Sequence, residues 1–142
     1  MADANLLIDT GAMLALLDAR DRWHVPCVKA FRQVRLPCLT SEAVLTEVFH
    51  LLRRSRMGVD SAWAFIRSGA ILIGAIPDSE YPQVRALMDL YADRPMDFAD
   101  ATLVHLAERE SVNVILTVDY GDFQTYRIGG RRPFGVLPVE RP

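Results

Sequence analysis

Short apolar runs alternate along the chain with stretches of helical periodicity. Leu6-Leu7-Ile8, closed by Asp9, reads as a buried strand. A helix is expected to follow at once, capped by Thr10, with Ala12 and Leu14 to Leu17 on its apolar side. After a polar break at Asp18 to Arg22, a second helix is predicted over about Trp23 to Val34, with Pro26 tolerated in its first turn. Leu36 to Leu39 suits a short strand. Thr40 or Ser41 then caps a long helix to about Arg56, ended by Gly58.

Beyond it the pattern predicts a helix over Val59 to Arg67, capped by Asp60 or Ser61, and an apolar, β-branched strand over Ala70 to Ile76. Ser79 opens a helix to about Tyr91, with Pro82 in its first turn. Pro95 breaks the chain, and Asp97 opens a helix to about Glu110. Val112 to Val118 is an apolar strand, and Phe134 to Val139 a last short edge strand. Strands alternating with helices imply an α/β fold, with a mostly parallel sheet and helices on both faces. The site of such a fold lies outside the carboxyl ends of the strands. No repeat, low-complexity segment or linker divides residues 1–142, so a single domain is expected, long enough to bury a core.

Composition removes several classes. The chain is 51% hydrophobic and 24% charged, which is ordinary for a globular protein. Its longest strongly apolar stretch, Ala70 to Ile76, is far too short to span a bilayer. The N-terminus lacks the basic region and small-residue cleavage site of a signal peptide, so a cytoplasmic protein with no membrane association is expected. Cys27 and Cys38 match no zinc or redox spacing and read as small buried hydrophobes. The formal charge of −2 is not the bulk signature of a nucleic-acid binder. Lys29 is the only lysine; the arginines cluster at Arg53, Arg54 and Arg56 and again at Arg127, Arg131 and Arg132. Each cluster is either a solvated face or a set of phosphate contacts.

The acidic residues carry the chemistry. Asp9 ends the first strand and Asp119 follows the Ile115 to Val118 strand, so both project toward one edge of a parallel sheet. Either alone could simply cap a turn. Glu47 shares its helix with Val44, Val48 and Leu51 at i−3, i+1 and i+4, which puts it at or inside the apolar stripe. A carboxylate there is costly unless it is paired, hydrogen-bonded or bound to a metal. Asp100, followed by Leu103, Val104 and Ala107, heads the inward face of its helix, while Asp97 stands at the cap position. Four carboxylates brought together would repel one another strongly. A hard divalent cation resolves that, and an all-oxygen donor set suits Mg²⁺ or Mn²⁺. Such a site fits phosphodiester hydrolysis.

Four segments together resemble the PIN-domain family, and within it the VapC-type toxins of bacterial toxin–antitoxin modules, over nearly the whole chain. Leu7-Ile8-Asp9-Thr10 is similar to the family's first acidic motif. Thr40-Ser41-Glu42-Ala43-Val44-Leu45-Thr46-Glu47 resembles the segment that delivers its glutamate. Met96-Asp97-Phe98-Ala99-Asp100-Ala101 resembles the third motif, and Leu116-Thr117-Val118-Asp119-Tyr120-Gly121-Asp122-Phe123 the fourth, with Asp122 as an auxiliary acid. Gly11 departs from the pattern, which often has Ser after the Asp-Thr pair.

The resemblance implies a three-layer α/β/α sandwich. It implies a Mg²⁺- or Mn²⁺-dependent endoribonuclease that hydrolyses RNA, with Asp9, Glu47, Asp100 and Asp119 as catalytic and metal-site residues. Asp9 and Asp100 would be direct ligands, and Glu47 and Asp119 would act partly through waters. Thr10, Thr117, Asp97 and Asp122 would steady them. It further implies a homodimer and a cognate antitoxin, for which an apolar groove near Leu16, Phe49, Leu52 and Trp63 is a candidate seat. The alternative within the same fold is a non-catalytic RNA- or protein-binding module. A receiver-like phosphoacceptor domain needs a lysine late in the chain, and none follows Lys29. A Ser/His hydrolase lacks its Gly-x-Ser-x-Gly turn, and His24, His50 and His105 sit in helical contexts as structural or surface residues.

Overall fold

In a computed structural model that describes residues 4–94 and 96–142, the chain runs β1 (Leu7–Ile8), α1 (Thr10–Leu17), α2 (His24–Gln33), β2 (Cys38–Thr40), α3 (Glu42–Leu52), α4 (Arg56–Ile66), β3 (Ile71–Ile73), a 3-10 turn (Asp78–Glu80), α5 (Tyr81–Leu90), α6 (Phe98–Glu110), β4 (Val114–Leu116), α7 (Tyr120–Thr125), β5 (Arg127–Ile128), β6 (Arg132–Pro133) and β7 (Gly135–Leu137). Five strands form one parallel sheet in the order β3-β2-β1-β4-β7, with Leu7 beside both Leu39 and Ile115. Leu7, Ile8, Leu39, Ile115 and Leu116 are buried on both faces of this sheet, which is why their segments read as continuous apolar runs without alternation. Helices flank the sheet in the expected three-layer α/β/α arrangement, α1 to α4 packing on one another and α5 on α6.

The chain moves outward from β1 through β2 to β3, then returns to lay β4 on the other side of β1. That reversal opens a crevice between the carboxyl ends of β1 and β4. The segments carrying Asp9 and Asp119 leave the sheet there. α6 passes close to the sheet and is buried on most sides, with Ala101, Leu103, Val104, Leu106 and Ala107 at 1% exposure or less. Small alanines let it approach; Asp100 in its first turn is thereby carried to the crevice.

Several expected boundaries shift. Asp9, not Thr10, caps α1: its carboxylate accepts the Ala12 amide, and Thr10 is the first helical residue. The strand expected at Leu36 to Leu39 is Cys38–Thr40, with Ser41 as the cap of α3. The long helix ending at Gly58 is two helices. α3 stops at Leu52, and Ser55 caps α4 by accepting the Gly58 amide, so Gly58 lies inside the first turn of α4 rather than beyond the end of α3. Asp60 and Ser61 are interior to α4. Leu51, within α3, is 60% exposed instead of facing inward.

Among the described residues, the strand expected over Ala70 to Ile76 keeps its ladder only at Ile71–Ile73, and that of Val112 to Val118 only at Val114–Leu116. Ser79 lies in the 3-10 turn that precedes α5. α7 and the β5–β6 hairpin were not anticipated; each is too short to leave a periodic signature. The break expected at Pro95 and the first residues of the N-terminus lie outside the described residues. No described helix is long and apolar enough to cross a membrane.

Candidate active site

The crevice holds a cleft of about 220 Å³ lined by Asp9, Thr10, Gly11, Val44, Glu47, Asp97, Asp100, Val118, Asp119 and Asp122. Thus Asp9, Glu47, Asp100 and Asp119 do come together, and Thr10, Asp97 and Asp122 line the same cleft. Thr117 lies directly behind them, fully buried at the end of β4.

Each acid is fixed by a local cause. Asp9 is 7% exposed. One of its oxygens caps α1 through the Ala12 amide at 3.0 Å, and the other accepts the Thr117 hydroxyl in a short hydrogen bond. Thr117 Oγ1 also accepts the Asp119 amide at 2.9 Å, so one hydroxyl sets the spacing of two acids. Glu47 is half-buried on α3 and accepts the Thr10 hydroxyl at 2.6 Å, which answers the cost of its place beside the apolar stripe. Asp97 caps α6 by accepting the Asp100 amide at 2.8 Å, the division of labour expected for that pair. Ser41 Oγ and Thr102 Oγ1 lie 2.8 Å apart in the interior, joining the helices that present Glu47 and Asp100.

The electrostatics follow from burial and crowding. Burial pushes the Asp9 carboxyl up to about 6, against the hydrogen bonds from Thr117 and Ala12. Burial, then the neighbouring charges of Asp97 and Asp9, pushes Asp100 up to about 8. Asp119 is also raised, by burial and by Asp122, with Arg94 acting in the opposite sense. The site thus disfavours its own negative charge. A divalent cation fits such a set, because it meets oxygen donors only and relieves their repulsion. Among the described residues, no three His, Cys, Asp or Glu side chains close into a direct cage for one ion. Carboxylates on the walls of an open cleft suit a cation that keeps several of its waters, as Mg²⁺ does.

Two residues at the site were not singled out from the sequence. Tyr126, fully buried after α7, donates its hydroxyl to Asp100 Oδ2 at 3.2 Å. Arg94, in the turn between α5 and α6, reaches Asp122 Oδ1 at 3.3 Å. Both depend on tertiary contacts across 26 and 28 residues, which no local pattern encodes.

Outside the cleft, the cysteines and histidines take the structural or surface places expected of them. Cys27 and Cys38 are buried free thiols, and His24 holds the Ala15 carbonyl at 2.7 Å. His50 is exposed, while the buried His105 pairs with Glu80 at 2.6 Å. Of the basic clusters, Arg53 donates to the His50 carbonyl at the end of α3, and Arg127 donates to the carbonyls of Gln124, Thr125 and Tyr126 after α7. Phe49 and Trp63 touch across α3 and α4, ring centres 4.9 Å apart, with Trp63 still 53% exposed.

Comparison with known proteins gives the same placement. The PIN domain model matches residues 6–128. Ribonuclease VapC26 of Mycobacterium tuberculosis (strain ATCC 25618 / H37Rv) is 33% identical over 137 residues, covering 94% of this chain and all (100%) of the relative. The crystal structure of Mycobacterium tuberculosis VapC20, a Sarcin-Ricin loop cleaving toxin, superposes with a TM-score of 0.70 at 23% identity, covering 82% of this chain and 93% of that one.

Proposed function

Because this chain belongs to the PIN domain family, we propose that it is a Mg²⁺- or Mn²⁺-dependent endoribonuclease, the toxin of a toxin–antitoxin pair, cutting RNA at the carboxylate cleft. The observation that carries the reading is the convergence of Asp9, Glu47, Asp100 and Asp119 from four separate segments on one cleft, with Asp9 and Asp100 pushed up to about 6 and about 8. A cation entering such a site would relieve the crowding of its carboxylates and would compete with the protons they hold. The kinship with a relative named Ribonuclease VapC26 supplies the substrate class.

Asp9 and Asp100 would be the direct ligands, and Glu47 and Asp119 would act partly through waters. When bound, the cation polarises a phosphate oxygen and lowers the pKa of a water. The chain's own groups do the rest. Thr117 and Thr10 keep Asp9, Asp119 and Glu47 at fixed spacing, and Tyr126 orients Asp100. Asp119 is exposed to the cleft and has a raised pKa, so its carboxylate is the candidate to accept the proton of the attacking water. Asp97 holds the first turn of α6, and Asp122 adds negative charge at the edge.

Residues 1–142 act as one domain, as a homodimer and in the cytoplasm. The cognate antitoxin lays an amphipathic segment over α3 and α4, where Leu16, Phe49 and Leu52 are half-buried and Trp63 is exposed. Incubation of the purified protein with a mixed RNA pool in Mg²⁺, in Mn²⁺ and in EDTA tests the reading. Internal cuts with either cation and none in EDTA are expected. Intact RNA in all three, from folded protein, would leave the non-catalytic binding module.

A further inference from the structure

An RNA strand entering the carboxylate cleft brings its own negative charge to a wall of acids, and a bound cation offsets only part of the repulsion. We propose that Arg94 binds a non-bridging oxygen of an RNA phosphate flanking the scissile bond, and that Asp122 holds its guanidinium in reserve while no RNA is present. The inference rests on the nuclease reading above and adds a substrate-binding residue to it.

Arg94 and Asp122 make a weak pair by its geometry. Nη2 and Nε lie 3.3 and 3.4 Å from the same oxygen, Oδ1. Strong charge-assisted hydrogen bonds are about 2.7–2.9 Å and engage both carboxylate oxygens. The two side chains are 48% and 30% exposed, so water screens what attraction there is. A phosphate offering two oxygens to the guanidinium fork replaces this contact readily.

The position is built for it. A Cβ on Gly121 would stand 3.0 Å from Arg94 Nη2, so the glycine leaves the guanidinium a path over the first turn of α7 toward the cleft. Among the main influences on Asp9, Asp100 and Asp119, Arg94 is the cation that acts, on Asp119. The other well-bonded arginines are committed elsewhere: Arg127 to the carbonyls after α7, and Arg109 to Glu80, Glu110 and the Ala75 carbonyl.

The test is binding of a short unpaired fluorescein-labelled RNA to the full chain in EDTA, over a series of salt concentrations. Wild type, R94A, R94K, D122N and R94A/D122N are compared. R94A is expected to weaken binding about tenfold and to lower the slope of log affinity against log salt by about 0.7, one phosphate's share. R94K keeps that slope. D122N releases the guanidinium and tightens binding about threefold, and this gain shrinks in the R94A background to the part due to the lost repelling charge. R94A with wild-type affinity and slope overturns the proposal, as does D122N weakening binding as much as R94A, which would make the pair a strut. Wild type that cuts RNA while R94A binds normally removes Arg94 alone. Wild type that neither binds nor cuts RNA removes the nuclease reading with it.

Discussion

Val118 packs against Gly11 so closely that a Cβ added to Gly11 would stand 2.5 Å from Val118 Cγ2. The backbone of Gly11 is not left-handed, so space alone keeps a side chain out. The space beside Gly11 is filled by a valine from the fourth acidic segment. Gly11→Ser should therefore destabilise the protein by roughly 1–3 kcal/mol, a typical cost of overpacking. Val118→Ala in the same chain should restore most of it. Thermal unfolding of the two single variants and the double gives the coupling directly.

Asp100 and Asp9 bind their protons more tightly in the folded chain than in the unfolded one, where the ordinary value is 3.8. The native state therefore holds more protons than the unfolded state between 3.8 and about 8 for Asp100, and up to about 6 for Asp9. Stability from these groups is complete below 3.8 and is lost as pH rises through that window. In EDTA, Tm should fall by roughly 3–8 °C between about pH 5 and pH 8. Mg²⁺ should stabilise more at the upper end than at the lower. Asp100→Asn should flatten the decline, and a Tm that climbs steadily across the range would contradict the raised pKa.

Tyr126 holds Asp100 through a single hydroxyl and otherwise packs its ring against Tyr91 and Phe123. Tyr126→Phe keeps those ring contacts. It should weaken Mg²⁺ binding and RNA cleavage by about tenfold, the scale of loss when a group orienting a metal ligand is removed. Stability in EDTA should change little. Calorimetric titration of Mg²⁺ beside cleavage rates separates the two effects.

Thr117 spaces Asp9 from Asp119 by donating to one and accepting from the other's amide. Thr117→Ser preserves the hydroxyl, and Thr117→Val preserves the volume. Cleavage should fall about 10–100-fold in the valine variant and remain near wild type in the serine variant. Equal losses in both would assign Thr117 to packing rather than to positioning the acids.

The acids are legible as a set, because crowding four carboxylates at one edge is expensive without a cation. Glu47 stands beside an apolar stripe and Asp100 heads an inward face, whereas Asp9 and Asp119 gain meaning only within the set that the alternation of strands and helices places on one edge. Tyr126 and Arg94 violate nothing locally: a tyrosine beside Phe123 and an arginine in a turn are unremarkable until the fold brings α5, α6 and α7 together. The end of α3 was misplaced because Gly58 is a strong stop signal in isolation, whereas Ser55 supplies a cap that restarts the helix three residues earlier. Thr10 lost its expected capping role to Asp9, freeing its hydroxyl for Glu47.

Substituting Asp100 alone tests whether it belongs to a cation site that cuts RNA. Asp100→Asn should leave a folded protein that neither binds Mg²⁺ measurably in calorimetry nor cuts RNA, while wild type does both. A folded Asp100→Asn variant that cuts RNA at the wild-type rate with undiminished Mg²⁺ affinity would contradict the account.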